Sequence, residues 1–468
     1  MGEVIPVQAF ELQKFGRLID FEPSVMIPRI QWDSRKVEPG DWFLCLQGEN
    51  HDAHDFLKDV FAAGATGAIY QKVKSEREWP GLQVDDTNRF LLDFASWYRE
   101  MLGVLTIAIT GSNGKTSLKE LVTFLLQQIL GAEQVTATRG NLNNHFGVSY
   151  TLLGLEPKNS IAVIEMGMNH RGEISPLSRA TAPVFTAISS ISTAHIENLG
   201  SIEEIAREKV SIIDGQKQGG CLCFLKNIHQ KSIIQEYARK KNIPVVEIST
   251  DLVSKSKSNS SQVIYEQRDY IFPWPGKHQL QNLNLATGLI RNILTYLNIP
   301  LEKIHYAFEK LQLLNSIAGR MHLHPNAQYL IYDDSYNANE GSVKAALQYI
   351  SDLALQKNES AYLALGEIAE LGEFSGEIHI SLVDYKLEKN ISGLLFCGNE
   401  ELQNAVESAF RKKTNRWLYT CSKDDASVEK GARALAKEMK PGNILLVKGS
   451  RSARMERVLD LADFRKLT

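Results

Sequence analysis

Residues Thr110 to Ser117 read TGSNGKTS. They follow a β-branched run from Val104 to Ile109 and open a helical pattern with apolar residues at Leu118, Leu121, Val122, Leu125 and Ile129. Strand, glycine turn, lysine, hydroxyl and helix, in that order, can cradle a polyphosphate. Gly111 and Gly114 let the backbone approach closely, while exposed N–H groups (Ser112 and Asn113 lie in the turn) and the helix N-terminus face the anion. Lys115 would reach the terminal phosphates and the Thr116 hydroxyl would ligate magnesium. The generic P-loop has a longer spacer before its Gly-Lys pair. Here two residues separate Gly111 from Gly114, so the motif is a shortened variant. The plain alternative is a strand-to-helix turn with a solvated lysine.

Three more side chains could serve a metal near that loop. Glu165 closes the apolar run Ile161-Ala162-Val163-Ile164. In a parallel sheet ligands collect beyond the carboxyl ends of strands, and a carboxylate there can hold magnesium directly or through water. It can equally be a capping or solvated acid. His195 lies in the loop SSISTAHIENLG after a strand at Val184–Ile188; it is either a hydrogen-bonded surface residue or a ligand. Ser201-Ile202-Glu203-Glu204 has the form of a capping box and starts a helix. On that helix Ile202, Ile205, Ala206, Ile212 and Ile213 form an apolar stripe with Lys209 inside it. Either the Lys209 stem lies on the core while its ammonium snorkels outward, or the amine is buried and neutral. A neutral amine can take up carbon dioxide, and the carbamate would offer carboxylate oxygens to a metal.

Further along come PGKHQLQNLNLATGL (275–289), DDSYNANEGS (333–342), LGEIAELG (365–372) and VKGSRSARME (447–456). Asp334, Asn337 and Asn339 sit at a strand end and could serve a ligand, although Asn-rich turns also form for local backbone bonding. Lys448 and Arg451 follow a strand and either meet phosphate or carboxylate or form a cationic turn.

The elements that carry these residues read as α/β. A chain of 468 residues exceeds one compact domain and suggests about three. The first hundred residues mix short strands with a helix; turn signals cluster at Pro39-Gly40-Asp41 and Gln47-Gly48-Glu49-Asn50. From Val104 apolar strands alternate with helical patterns, which favours a parallel sheet. Strands are expected at 161–165, 184–188 and 222–225, and 254–261 reads as a solvated hairpin tip. After Arg320 a second series has strands at 329–333, 362–365, 394–397, 417–419 and 444–447, with helices at 343–353 and 426–439. That series looks Rossmann-like but has no G-x-G-x-x-G fingerprint, which disfavours a dinucleotide. Seams fall near residues 101 and 318, giving domains at 1–100, 101–318 and 319–468. A net charge of −3 without a basic block points away from nucleic acid. No apolar run approaches a membrane span, and no secretion signal opens the chain. The five cysteines are scattered and odd in number; Cys221 and Cys223 read as buried or half-buried thiols, so a reduced cytoplasm is expected.

In order along the chain, TGSNGKTS, GNLNNHFGVSYTLL, EMGMNHRGEI, STAHIENLGSIEEIAREK, GKHQLQN, DDSYNANEGS, LGEIAELG and VKGSR resemble the Mur ligase superfamily. DSR at Asp33–Arg35, PGDWF at Pro39–Phe43 and GENHDAHDF at Gly48–Phe56 resemble its N-terminal domain. The match covers nearly the whole chain. The DDSYNAN and LGEIAELG segments resemble the branch that joins D-alanyl-D-alanine to UDP-N-acetylmuramoyl-tripeptide, in peptidoglycan precursor synthesis.

The resemblance implies an N-terminal domain for the UDP-sugar, a central ATPase domain and a C-terminal Rossmann-like domain. It implies an ADP-forming amide ligase that passes through an acyl phosphate, uses ATP and two magnesium ions, and acts as a cytoplasmic monomer. Thr110–Ser117 would hold the phosphates. Thr116, Glu165, His195 and carbamylated Lys209 would serve the metal pair. Asn282, with His278 nearby, would contact the adenine side, Arg320 the γ-phosphate and Asp334 the ribose. Ser34 and Arg35 would meet the UDP portion; Asn143, Asn144, Tyr336, Asn337 and Asn339 would lie toward the peptide substrate. Departures from the family pattern are Ala53, His145, Ser149, Ser190 and Glu340, none of them a phosphate or metal ligand. Open alternatives are another muramyl or folylpolyglutamate-type ligase, a nucleotide-binding regulatory protein, and a P-loop kinase or GTPase switch.

Overall fold

The computed structural model describes residues 6–464 except 49–50, 72–77, 251, 258–259, 325, 327, 390 and 463. Its centre is a six-stranded parallel sheet in the order Val245–Ile248, Leu222–Leu225, Phe185–Ile188, Leu105–Thr110, Ile161–Glu165, Val135–Ala137. The chain enters at Leu105–Thr110, builds one side, then crosses to build the other. That strand is therefore the switch point of the sheet, where ligands gather beyond the carboxyl ends. Glu165 pairs in register with Ile109, and Ile188 with Thr110, so three strand ends open onto one place. The helix Lys115–Leu130 seals one face through Leu118, Leu121, Val122, Leu125 and Leu126, all fully buried. Burying each such side chain contributes about 1.5–3 kcal/mol.

A second α/β unit holds the sheet His322–His324, Leu330–Asp334, Ile444–Lys448, Ala361–Gly366, Gly393–Cys397, Trp417–Cys421. Its first pair is antiparallel and the rest are parallel. A third, N-terminal unit carries a five-stranded mixed sheet: Arg17–Ile19, Gly81–Val84, Gly67–Gln71, Trp42–Leu44, Ile30–Gln31. The architecture is thus three α/β units. The helix Thr87–Leu102, capped by Asp86, ties the N-terminal unit down: the Tyr98 hydroxyl donates to the Leu155 carbonyl and Arg99 Nε to that of Ala180. Its core residues belong to one cluster with those of the central sheet.

Strands expected from apolar runs are present, their ends moved by a residue or two. The expected hairpin is there as antiparallel Val253–Lys257 and Ser260–Tyr265, while its tip at 258–259, like residues 49–50, lies outside the described residues. Two details differ. The helix carrying Lys209 ends at Val210 and tightens to a 3₁₀ turn at Ser211–Ile213, because the Ser211 hydroxyl takes the Glu208 carbonyl at 2.6 Å. The capping box there is half made. Ser201 Oγ accepts from the Glu204 N–H, but the Glu204 carboxylate lies against Arg171 and Arg207. All five cysteines are free and buried. No helix among the described residues is long and apolar enough to cross a membrane.

Candidate active site

The phosphate loop is held from behind by serines. Gly111 adopts φ 151°, and a Cβ there would meet Ser189 Oγ at 2.0 Å, so only glycine fits. Gly114, left-handed at φ 79°, starts the helix at Lys115 with no side chain capping it, which leaves first-turn N–H groups for an anion. Ser190 Oγ accepts from the Asn113 N–H at 2.8 Å; Ser189 Oγ donates to the Asn113 carbonyl at 2.5 Å. Ser112 Oγ donates to the Ser192 carbonyl, Thr110 Oγ1 to the Met166 carbonyl, and Gln279 Nε2 to Ser117 Oγ. Lys115 is half-buried with Nζ donating to the Gly111 carbonyl at 2.8 Å. Burial lowers its pKa, against the raising effect of the Glu165 carboxylate.

Glu165 is buried at the neighbouring strand end. Its Oε1 accepts from Asn143 Nδ2 at 2.7 Å and its Oε2 has no hydrogen-bond partner. Lys209 is fully buried and its Nζ has no partner either. The snorkelling alternative is excluded. Burial, then the nearby Lys115 charge, pulls the Lys209 pKa well below the usual lysine range. His195, itself left-handed at φ 66°, has Nδ1 2.6 Å from Glu370 Oε2 but out of hydrogen-bond alignment. That contact holds the Glu370 carboxyl below the usual carboxylate range.

The C-terminal unit reaches the same place. Arg320 Nη2 donates to Thr116 Oγ1 at 2.9 Å and its guanidinium lies 4.4 Å from the Tyr336 ring centre. Asn339 Nδ2 donates to Asn113 Oδ1 at 2.5 Å. Asn282 is buried with its amide against Gly114, 2.7 Å from where a Cβ would stand. His278 is half-buried, its pKa lowered by burial and raised by Asp334. Lys448, which could have met a ligand, is consumed inside the fold: Nζ binds Asp334 Oδ2 at 2.5 Å and the Asn337 carbonyl at 3.1 Å.

Comparison with known proteins decides the family. The Mur ligase middle domain matches residues 109–290 and the Mur ligase glutamate ligase domain matches 319–451. A UDP-N-acetylmuramoyl-tripeptide–D-alanyl-D-alanine ligase of Escherichia coli is 30% identical over 447 residues, 93% of this chain and 94% of its own. The Haemophilus influenzae ligase of the same name is 30% identical over 451 residues, covering 94% of each chain. The chain belongs to the Mur ligase family. A crystal structure of MurF from Acinetobacter baumannii superposes on this Mur ligase with a TM-score of 0.84 at 29% identity, over 98% of this chain and 100% of that one.

Other expected site residues of this Mur ligase fall into two groups. Asn143 joins Glu165, and Asn144 is exposed as N-cap of the helix His145–Leu153. Ser34 and Arg35 stand apart in a 3₁₀ turn; Arg35 is exposed and forks onto Asp33 at 2.8 and 2.9 Å. Among the described residues no hydrogen bond joins either to the phosphate loop. Asn337 is exposed. Sequence reasoning assigned no role to three contributors: Ser190, Lys119 and Glu370. Lys119 is buried on the helix and donates to the Thr138 carbonyl at 2.8 Å, while the Thr138 hydroxyl accepts from the Glu165 N–H. Each acts through a partner distant in the chain, which spacing does not display.

The donors suit a hard cation in part. Among the described residues no three His, Cys, Asp or Glu side chains gather as a ready metal cage. At this site Glu165 Oε2, His195 Nδ1 and the Lys209 amine are buried atoms without a hydrogen-bond partner. A cation that keeps waters and takes phosphate oxygens needs few protein ligands, and magnesium is such a cation.

Proposed function

We propose that this Mur ligase joins D-alanyl-D-alanine to the terminal carboxylate of a UDP-N-acetylmuramoyl-tripeptide, with ATP cleaved to ADP and phosphate, as a step toward peptidoglycan in the cytoplasm. The observation that carries the proposal is the convergence of Lys115, Glu165 and buried Lys209 at one sheet end, in a chain matched almost end to end by ligases of that name. Residues 1–100 hold the UDP-sugar, 101–318 bind ATP, and 319–468 close over the reaction.

A carboxylate is a poor electrophile, so it first attacks the γ-phosphorus and ADP leaves. The dipeptide amine then attacks the acyl phosphate carbon; the tetrahedral intermediate expels phosphate and the nitrogen loses its proton. Lys115 and Arg320 neutralise charge on the transferring group. Asn282 and His278 border the adenine and Asp334 the ribose. Asn143, Asn144, Tyr336, Asn337 and Asn339 border the peptide side, and Ser34 with Arg35 the uridine diphosphate. Thr116, Glu165, His195 and a Lys209 carbamate would hold magnesium, which would supply Lewis-acid stabilisation of phosphoryl oxygens. The test is phosphate release from ATP with UDP-muramoyl-tripeptide. Sustained release is expected only when D-alanyl-D-alanine is added. Release supported by a single amino acid instead overturns the proposal.

A further inference from the structure

The loop after the strand Ala361–Gly366 is pinned at successive residues. The Glu367 N–H reaches the Cys397 carbonyl at 2.8 Å, that of Ile368 reaches His379 Nε2 at 3.0 Å, and that of Ala369 reaches Ser450 Oγ at 2.8 Å. Ile368 and Leu371 are buried on either side. Between them Glu370 is forced to φ 62°, left-handed for a residue with a side chain. Its carboxylate meets His195, also left-handed, across the seam between the C-terminal and central units. Two residues on, a Cβ at Gly372 would stand 3.2 Å from Glu197, so the loop also lies on the short helix Ile196–Leu199 that His195 begins.

Two strained residues meeting at one contact cost of order 1–3 kcal/mol each. The Glu370 side chain is 44% exposed, and a partly exposed ion pair returns about 1 kcal/mol at most. Stability alone does not explain the arrangement. Brought into line with Nδ1–H, a carboxylate at this 2.6 Å distance would fix the proton on Nδ1 and leave Nε2 its lone pair for a cation.

We infer that Glu370 is the positioning residue for His195: the C-terminal unit delivers a carboxylate that orients the imidazole as a metal ligand, so the metal site is completed only when that unit is docked. This rests on the proposed role of His195 as a ligand. A merely structural Glu370 would hold the seam and leave cation affinity alone.

The experiment titrates Mn²⁺ by electron paramagnetic resonance into the full chain saturated with a non-hydrolysable ATP analogue and UDP-muramoyl-tripeptide. Glu370→Gln keeps the size and loses the charge. It is expected to weaken one bound Mn²⁺ about 10- to 100-fold, the range for removing a partner of a metal-bound histidine. Glu370→Asp should recover part of that loss. His195→Ala should weaken the same ion, and the double variant should be no worse than His195→Ala alone. If His195→Ala loses the ion while Glu370→Gln keeps it, or if the two losses multiply, the inference is overturned. If His195→Ala leaves Mn²⁺ binding unchanged, the ligand role of His195 falls and the inference falls with it.

Discussion

At the scale of residues, the two lysines near the phosphate loop divide the labour by burial. Lys115 keeps a carbonyl partner and the Glu165 charge beside it, which suits a cation meeting phosphate. Replacing it with alanine should reduce turnover at least about a hundredfold, as for loss of one preorganised group at a developing charge. The fold should survive, because Lys115 packs no core; melting temperature and phosphate release measured side by side check both halves. Near-normal turnover would contradict the phosphate assignment. Lys209 has neither partner nor solvent. A buried amine held neutral can add carbon dioxide and release one proton, and the resulting carbamate would be an anion beside Lys115. Lys209→Ala is therefore expected to be inactive and to regain part of its activity with millimolar formate or acetate, assayed as phosphate release. Full activity without additives would remove Lys209 from the mechanism. The apolar stripe around Lys209 was legible in the chain, but spacing could not say whether the ammonium escaped to water. Only the packing of neighbouring elements settles that.

At the scale of elements, apolar β-branched runs and their glycine turns made the central strands and the phosphate loop legible, since both signals are local. Lys448 shows where locality ends. Its turn announces a cation, yet the cation's partner is Asp334, more than a hundred residues away in sequence and beside it in the sheet. Lys386 is a similar case on the helix Ser375–Glu388, where its position gave no sign of burial. It is fully buried, its Nζ has no hydrogen-bond partner, and it stands 4.5 Å from the Phe410 ring centre. Burial, helped by the Arg416 charge, lowers its pKa to about 7. The cation–π contact, about 2 kcal/mol at best, is outweighed by that desolvation. The unfolded amine titrates near 10.5. Between pH 7 and that value the unfolded chain binds the extra proton, so stability rises with pH across this window. Below about pH 7 both states are protonated and the full penalty applies. Lys386→Met should thus stabilise the C-terminal unit by about 2 kcal/mol at pH 7, well inside the upper bound of about 5 kcal/mol that the lowered pKa implies. The gain should shrink toward zero by pH 10. Urea unfolding at the two pH values reads it; a gain that does not fall with pH would place the cause elsewhere.

At the scale of the whole molecule, the site exists only because separate units meet. Asn339 makes the point sharply, since one side chain serves two structures. Its Oδ1 accepts from the Ser342 N–H and caps the helix Glu340–Lys357, while its Nδ2 crosses the seam to Asn113 in the phosphate loop. Arg320 crosses beside it to Thr116. Loop and C-terminal unit are therefore linked through residues of the proposed phosphate site, and docking of the unit should depend on these bonds. Alanine at 339 would confuse the test, because losing the cap costs about 1 kcal/mol by itself. Serine keeps a capping oxygen but is too short to reach Asn113. One hydrogen bond across the seam is worth about 1 kcal/mol, so Asn339→Ser should shift the docked-to-undocked ratio roughly fivefold toward the undocked form. Small-angle scattering of the free protein should then show a larger radius of gyration, and kcat/KM should fall by up to a similar factor while the melting temperature stays within a few degrees. Adding the nucleotide analogue with the UDP-tripeptide should restore the compact form, since on the proposed function both would bind surfaces that meet only when docked. An unchanged scattering curve with reduced kcat/KM would mean that Asn339 touches substrate without governing closure.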